Sequence, residues 1–479
     1  MIPRSSLRVY EAIQHDIESF FFDYENSSID PIKPSLGEKM KPFSFLYENT
    51  SLITDDIIKK SGERLVKEIE RIKAAHKEQY NTPYAFINLP ADVALRQTVR
   101  QLAEQKKMFR PTALVVIGIG GSNLGTMAVH EALFGKFYNQ YNPDIKVYFA
   151  DTVDTDYLWD IVLLIEQELE KGNNVIINVI SKSGGTTETI ANFELFLELL
   201  QRYDPINYRN YVVVTTDENS PLWHLAQEQQ FTTLIIPQHV GGRYSVLSAV
   251  GLFPLALLGV DIDALHAGAQ SIMQMAMDNN IIHNHAAISA IILADYYTHG
   301  FTIHDTFLFS VDLESLGKWY RQLMGESIGK EYTRDHEQKF IGITPTVSIG
   351  STDLHSVGQL YLGGPYDKFT TFVSVVQNKS DVVLPRMFEY ENLVAKIQGK
   401  SLPSLMNAII QGVQRAYYKH KRPYVSIVLP EKTAYYIGQF LQFKMMEIVY
   451  LGQLLEVNPF DQPQVELYKQ ETKEILAHE

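Results

Sequence analysis

The residues of this chain that could do chemistry fall in a few short loops, and the densest is Ser181-Lys182-Ser183-Gly184-Gly185-Thr186-Thr187-Glu188-Thr189. It sets hydroxyls, two glycines and a lysine between an apolar run at 175–180 and a segment at 190–200 whose apolar residues recur at helical spacing. That order predicts strand, loop and helix. Backbone amides and the positive end of a helix dipole point into such a loop, and small side chains let an anion come close. Phosphate is the natural occupant. Serine and threonine are also ordinary helix caps, so the loop alone is compatible with a site that holds nothing.

A second loop, Gly118-Ile119-Gly120-Gly121-Ser122-Asn123-Leu124-Gly125, follows the apolar run 113–117. It begins as a dinucleotide fingerprint but has Asn123 where the third glycine is required, and Gly125 comes two residues late. The stretch Gly325-Glu326-Ser327-Ile328-Gly329-Lys330-Glu331 fails as a Walker loop, with three residues between its glycines and Glu331 where a magnesium-binding hydroxyl belongs. Neither loop is a nucleophile elbow. In Gly241-Gly242-Arg243-Tyr244-Ser245, paired glycines before a single arginine suit a tight turn that aims a guanidinium into a crevice.

The elements that must position these loops alternate. Apolar strands are expected at 113–117, 145–150, 175–180, 211–215 and 232–236, with helices at 124–133 and 190–200 between them. This is the pattern of an α/β, doubly wound parallel sheet with its ligand crevice at the carboxyl ends of the strands, where both glycine loops fall. A buried helix is expected over 246–260, and an amphipathic one over 54–75. Further strands at 306–310, 369–375 and 423–428, and helices at 433–455 and 465–479, make a second lobe and a tail. His283-Asn284-His285 opens a predicted helix, and capping explains it better than a metal pair.

At 479 residues the chain exceeds one ordinary core, and 45% hydrophobic with 20% charged residues is globular composition. A net charge of −14 argues against nucleic acid or an anionic membrane as partner, so any phosphate must be held by a local site. The absence of cysteine excludes disulfides and thiol chemistry and fits a reducing, cytoplasmic setting. The amino terminus has no apolar core of the kind that directs export.

The loops above, together with Leu313-Glu314-Ser315-Leu316-Gly317-Lys318, Ser351-Thr352-Asp353-Leu354-His355-Ser356 and the stretch from Asn458 through Pro463 to Lys469, occur in one order. In that order they resemble the phosphoglucose isomerases, in their shorter bacterial form. The resemblance covers roughly residues 80–470. It implies two sugar-isomerase α/β lobes, at 79–284 and 285–460, between a helical amino-terminal extension at 1–78 and a carboxyl-terminal helix at 461–479. It also implies a cytoplasmic homodimer that interconverts glucose 6-phosphate and fructose 6-phosphate, in glycolysis and gluconeogenesis, without metal or organic cofactor.

Roles follow by position. The resemblance assigns Ser181, Lys182, Ser183 and Thr186 to the substrate phosphate, and Gly121 and Ser122 to the sugar. It assigns Arg243 to the enediolate, Glu326 to the base, and His355 and Lys469 to the ring oxygen. Moving a proton between C1 and C2 needs one base that reaches both carbons, and a fixed cation should stabilise the enediolate formed on the way. Opening the ring needs an acid, for which a histidine titrating near neutrality is suited. Ser183 and Gly184 stand where relatives often have threonine and phenylalanine, and the polar segment 331–340, with its extra His336, is longer than in close relatives. Activity on mannose 6-phosphate as well, and a noncatalytic sugar-phosphate sensor, are the competing readings. A nicotinamide dehydrogenase is a third.

Overall fold

The computed structural model describes residues 43–478. The extension expected at 1–78 therefore lies outside them up to residue 42.

The described chain opens with β1 (Ser44–Leu46), followed by α1 (Asp55–Glu63), α2 (Val66–Lys77) and α3 (Val93–Lys107). The single helix expected over 54–75 is broken in two at Arg64 and Leu65, and Ile58, Ile69 and Ile72 are nevertheless buried along one side. Then come β2 (Pro111–Ile117), α4 (Leu124–Phe134), β3 (Lys146–Ala150), α5 (Thr155–Glu170), β4 (Asn174–Ile180), α6 (Thr187–Tyr203), β5 (Val212–Thr216), α7 (Pro221–Glu228) and β6 (Thr232–Ile235). These strands form one parallel sheet in the order β3-β2-β4-β5-β6. Burial follows that order. The inner strands β2, β4 and β5 are buried along nearly their whole length, whereas β3 and β6, at the edges, are only partly so. Strands rich in valine and isoleucine are what burial on both faces requires, and the buried Asn178 donates from its side chain to the Val213 carbonyl.

Three helices, α8 (Ala249–Leu257), α9 (Ile262–Ala276) and α10 (His285–Thr298), lead to the second sheet. Every residue of α8 is buried, as its apolar sequence demands. Asn284 caps α10 by accepting from the Ala287 amide, while His283 pairs with Asp278 and the ring of His285 lies 5.9 Å from that of Phe45. This histidine pair is thus placed by capping and packing.

The second sheet is built from β7 (Ile303–Leu308), β10 (Thr344–Ile349), β11 (Lys368–Gln377) and β12 (Tyr424–Glu431), parallel to one another in the order β12-β11-β7-β10. Its outer edge is β1, antiparallel to β12. Part of what the sequence reading assigned to a helical amino-terminal extension is therefore an edge strand of the second sheet. Between β7 and β10 lie α11 (Glu314–Ile328) and a hairpin of β8 (Lys330–Tyr332) and β9 (Gln338–Ile341), into which the polar segment 331–340 folds. The chain is completed by α12 (Gly358–Gly363), α13 (Leu402–Lys419), α14 (Ala434–Leu454) and α15 (Pro463–His478).

The longest helix among the described residues, α14, is almost wholly buried and packs against α9, α10 and α11. It carries an ion pair, Lys444 with Glu447 at 2.9 Å, whose side chains are both fully buried. Glu447 also accepts from Ser289 of α10 and Tyr320 of α11. A buried charge survives only when it is paired and hydrogen-bonded, and here its partners come from three helices, which fixes α11 against the core. Among the described residues no helix is long and apolar enough to cross a membrane.

Candidate active site

Three segments meet at the carboxyl edge of the first sheet. Strand β2 runs into the glycine loop, where Gly121 lies flat against the turn at Gly242 and Arg243. A Cβ on Gly121 would stand 2.1 Å from the Gly242 carbonyl carbon and 2.5 Å from the Arg243 nitrogen, so no larger residue fits. Ser245 Oγ donates to the Gly121 carbonyl at 3.2 Å and locks the two turns together. The third segment is the end of α11. Its Gln322 reaches the glycine loop beside Gly120, and donates from Nε2 to Glu326 Oε1 at 2.8 Å.

Arg243 is at the centre of this junction and is 2% exposed. Its Nη1 donates to Glu326 Oε2 at 3.0 Å and to Gln462 Oε1 at 2.8 Å. Its Nε donates to Ser327 Oγ at 2.7 Å, and Nη2 to the carbonyls of Pro459 at 2.7 Å and Asp461 at 3.0 Å. A planar fork of five donors suits such a ring of acceptors, and lysine could not replace it. Tyr244 supports the arrangement from behind, its hydroxyl within 3.2 Å of Ser327 Oγ and of the Pro459 carbonyl. Lys330 Nζ bonds the carbonyls of Glu326 at 2.6 Å and Asp461 at 2.7 Å. Burial, with Arg243 nearby, brings Lys330 down to about 8, against the opposite pull of Asp461.

The loop after β4 lies on the same edge. Thr216 Oγ1 donates to the Ser181 carbonyl at 2.6 Å, and Ser181 Oγ meets Thr186 Oγ1 at 3.2 Å. Gly184 turns with φ +68°, and a Cβ there would stand 2.8 Å from the Leu222 amide nitrogen. Thr186 begins α6 without a side-chain cap bond, so the first-turn amides project into the loop, which is the arrangement that holds an anion. Ser183 is exposed, and Lys182 donates from Nζ to the Gln238 carbonyl at 2.6 Å. Burial lowers the Lys182 pKa while Asp217 opposes the shift, and burial raises Asp217 to about 6.

Gly121, Ser122, Arg243 and Glu326 therefore converge, and Ser181, Lys182, Ser183 and Thr186 form one loop at the same sheet edge. His355 and Lys469 stand apart. His355 is exposed in the turn Thr352–His355, and Lys469 lies on α15 with its ammonium 2.8 Å from Glu466. Neither shares a hydrogen bond or ion pair with Glu326 or Arg243 among the described residues. The residues that sequence reasoning did not select are Gln322, Ser327, Lys330 and Gln462. For Gln322 and Lys330 a signal was present, since each is four residues from Glu326 and so lies near it along α11 or just beyond.

The turn between β8 and β9 is anchored by Arg334, which donates to the Val457 carbonyl at 2.8 Å and approaches Glu68 at 4.0 Å. Beside it runs a groove of about 510 Å³, whose walls include Tyr84, Lys330, Arg334, His336, Phe460 and Asp461.

The family model described as phosphoglucose isomerase matches residues 101–479 of this chain. A glucose-6-phosphate isomerase of Carboxydothermus hydrogenoformans is 35% identical over 390 residues, covering 80% of this chain and 82% of the relative. One from Rubrobacter xylanophilus is 34% identical over 417 residues, 86% of this chain and 93% of its own. Among solved structures, a hypothetical protein from Thermus thermophilus superposes with a TM-score of 0.81 at 30% identity, covering 91% of this chain and all of that one. A glucose-6-phosphate isomerase from Chlamydia trachomatis does so with a TM-score of 0.77 at 22% identity, covering 92% and 89%, which bears on the fold alone.

Proposed function

This chain belongs to the phosphoglucose isomerase family and interconverts glucose 6-phosphate and fructose 6-phosphate, and from that premise we propose that Glu326 is the base that carries the proton between C1 and C2. The observation that carries the assignment is the Arg243–Glu326 pair where the glycine loop, the turn at Gly242 and Arg243, and the end of α11 meet. A carboxylate fixed at one oxygen by Arg243 and at the other by Gln322 keeps a defined position while part of it faces solvent, where substrate can reach it. Removing a proton from C1 or C2 leaves a negative enediolate. Arg243, which does not deprotonate, stabilises that charge from a site closed to water.

The phosphate belongs in the loop of Ser181, Lys182, Ser183 and Thr186, at the start of α6. Binding energy from this nonreacting end holds C1 and C2 in register with Glu326, assisted by the close backbone at Gly121 and Ser122. The reaction needs no electron acceptor, since the hydrogen lost at one carbon is regained at its neighbour.

Ring opening is the task of His355 and Lys469. An acid must come within hydrogen-bond reach of the ring oxygen. Lys469 lies six residues beyond the start of α15, about 9 Å along its axis, and that start adjoins Gln462, an acceptor of Arg243. There its ammonium exchanges the Glu466 partner for the sugar. His355 reaches the site from a second copy of the chain. In support, exposed apolar side chains lie on the stretch that follows it, with Leu360 48%, Phe388 69% and Leu393 77% exposed, a surface suited to a homodimer. A phosphorylated sugar as substrate, which does not cross a membrane unaided, supports a cytoplasmic enzyme.

The assignment is tested by following fructose 6-phosphate isomerisation through a coupled glucose-6-phosphate dehydrogenase, with chelator present. Wild-type turnover is expected to continue, and Glu326→Gln to lose about 10²–10⁴-fold in kcat. A fully active Glu326→Gln would mean that the base lies elsewhere.

A further inference from the structure

Lys330 begins β8 and stands one helical turn beyond Glu326. Its side chain is 4% exposed, yet its ammonium is fully engaged: it bonds the Glu326 carbonyl at the end of α11, bonds the Asp461 carbonyl, and pairs with Asp461 Oδ1 at 3.3 Å. The Asp461 carbonyl oxygen also accepts from Arg243 Nη2. One carbonyl oxygen thus binds two cations, and the segment that carries it, 459–462, supplies three of the acceptors that orient Arg243 before leading directly into α15.

We infer that Lys330 is a positioning residue for the isomerisation: its ammonium clamps the 459–462 segment to the end of α11, and so sets the Arg243–Glu326 geometry and the root of the helix that bears Lys469. The inference rests on the roles given above to Glu326 and Arg243. Without the ammonium, the Glu326 carbonyl and the Asp461 carbonyl lose a common donor, and the segment, whose Asp461 side chain is half exposed, keeps Arg243 and the Tyr244 hydroxyl as its polar anchors to the site but loses its tie to the end of α11.

The clamp is sensitive to pH. The charged groups facing Lys330 from the packed elements are Arg243, which disfavours its charge, and Asp461 and Glu326, which favour it. Glu331, its neighbour on β8, is engaged by Gln338 and Gln464. Burial outweighs the two carboxylates and places the group near 8, so the ammonium is held at neutral pH and lost above about pH 8. The groove beside Lys330 and Asp461 gives water access for that proton.

Lys330→Arg, Lys330→Met and Asp461→Asn are assayed beside wild type and Glu326→Gln across the neutral and alkaline range. Wild type should show an alkaline fall in kcat near pH 8. Lys330→Met should lose about 100-fold in kcat at neutral pH, with little change in KM and no alkaline limb of its own. Lys330→Arg, which stays charged, should recover part of the rate and also lack the limb. Asp461→Asn, which changes a half-exposed side chain, should move the limb to lower pH by removing the anion that favours the ammonium. A merely structural role would lower all rates without moving the limb. A wild type without the limb, a limb retained in Lys330→Arg, an unshifted limb in Asp461→Asn, or a Lys330→Met with wild-type kcat would each overturn the inference. A fully active Glu326→Gln in the same series would instead overturn the assignment on which it rests.

Discussion

Arg243 and Glu326 are joined at 3.0 Å, but the guanidinium is 1% exposed and the carboxylate 29%. The cation is locked by protein acceptors on all sides, whereas the anion keeps an open side. That asymmetry is what a proton-transfer site needs, because the electrostatic partner must be preorganised and the base must still meet substrate.

The same locking makes Arg243 irreplaceable by its closest relative. Arg243→Lys retains charge but cannot span Ser327, Glu326, Gln462 and two backbone carbonyls at once. It should lose about 10²–10³-fold in kcat, and its thermal midpoint should fall because buried acceptors are left unpaired. Steady-state kinetics and a circular-dichroism melt on the same preparation check both effects.

Asp217 gives a pH signature to the phosphate loop. Its pKa of about 6 lies above the ordinary 3.8 because burial disfavours the anion, despite the opposing charge of Lys182. The folded protein therefore binds this proton more tightly than the unfolded chain does. The resulting stabilisation is fully present below about pH 4 and is lost as pH rises through about 6. Asp217→Asn stays neutral, so its melting temperature relative to wild type should rise between these limits. Parallel melts at pH 4 and pH 7 with an unchanged difference would contradict this.

The buried pair on α14 carries a stability prediction. Lys444→Met leaves Glu447 charged in a dry interior, with only the Ser289 and Tyr320 hydroxyls as partners, and should cost about 3–5 kcal/mol in denaturant unfolding. Adding Glu447→Leu to that variant should recover much of the loss. A double variant as unstable as the sum of the singles would show that the pair is not coupled.

What the sequence made legible follows from how each signal arises. The inner strands β2, β4 and β5 are rich in valine, isoleucine and leucine with few polar residues among them, and runs of that kind have few other uses, so their positions were readable to within a residue or two. Strand β1 was not, because three residues with Phe45 alone turned inward carry no periodicity that a loop could not also show. Strand β10 was missed for a related reason: its side chains are mostly half-buried and include Thr344, Pro345, Thr346 and Ser348, and two of its hydroxyls bond the buried Asp305. Glu326 and Arg243 could be chosen because they stand in ordered motifs. Gln462 and Ser327 stand in the same motifs, but their work is done through contacts 219 and 84 residues away in sequence, which no local pattern encodes.

The placement of His355 makes a prediction about assembly. If it serves a neighbouring copy, then mixing inactive Glu326→Gln with inactive His355→Ala under exchange conditions restores activity in hybrids that hold one intact site. The expected recovery approaches a quarter of the wild-type rate, the share of intact sites in a random mixture of dimers. A mixture no more active than its components would place His355 in the site of its own chain.

The central claim, that Glu326 moves a proton between C1 and C2, is tested most directly in deuterium oxide. Fructose 6-phosphate recovered before full conversion should carry solvent deuterium at C1 when wild type is present, because a proton held on a carboxylate exchanges with water during the enediolate's lifetime. With Glu326→Gln, incorporation should fall in step with isomerisation. Isomerisation by wild type with no deuterium uptake, or uptake that survives in Glu326→Gln, would contradict the account.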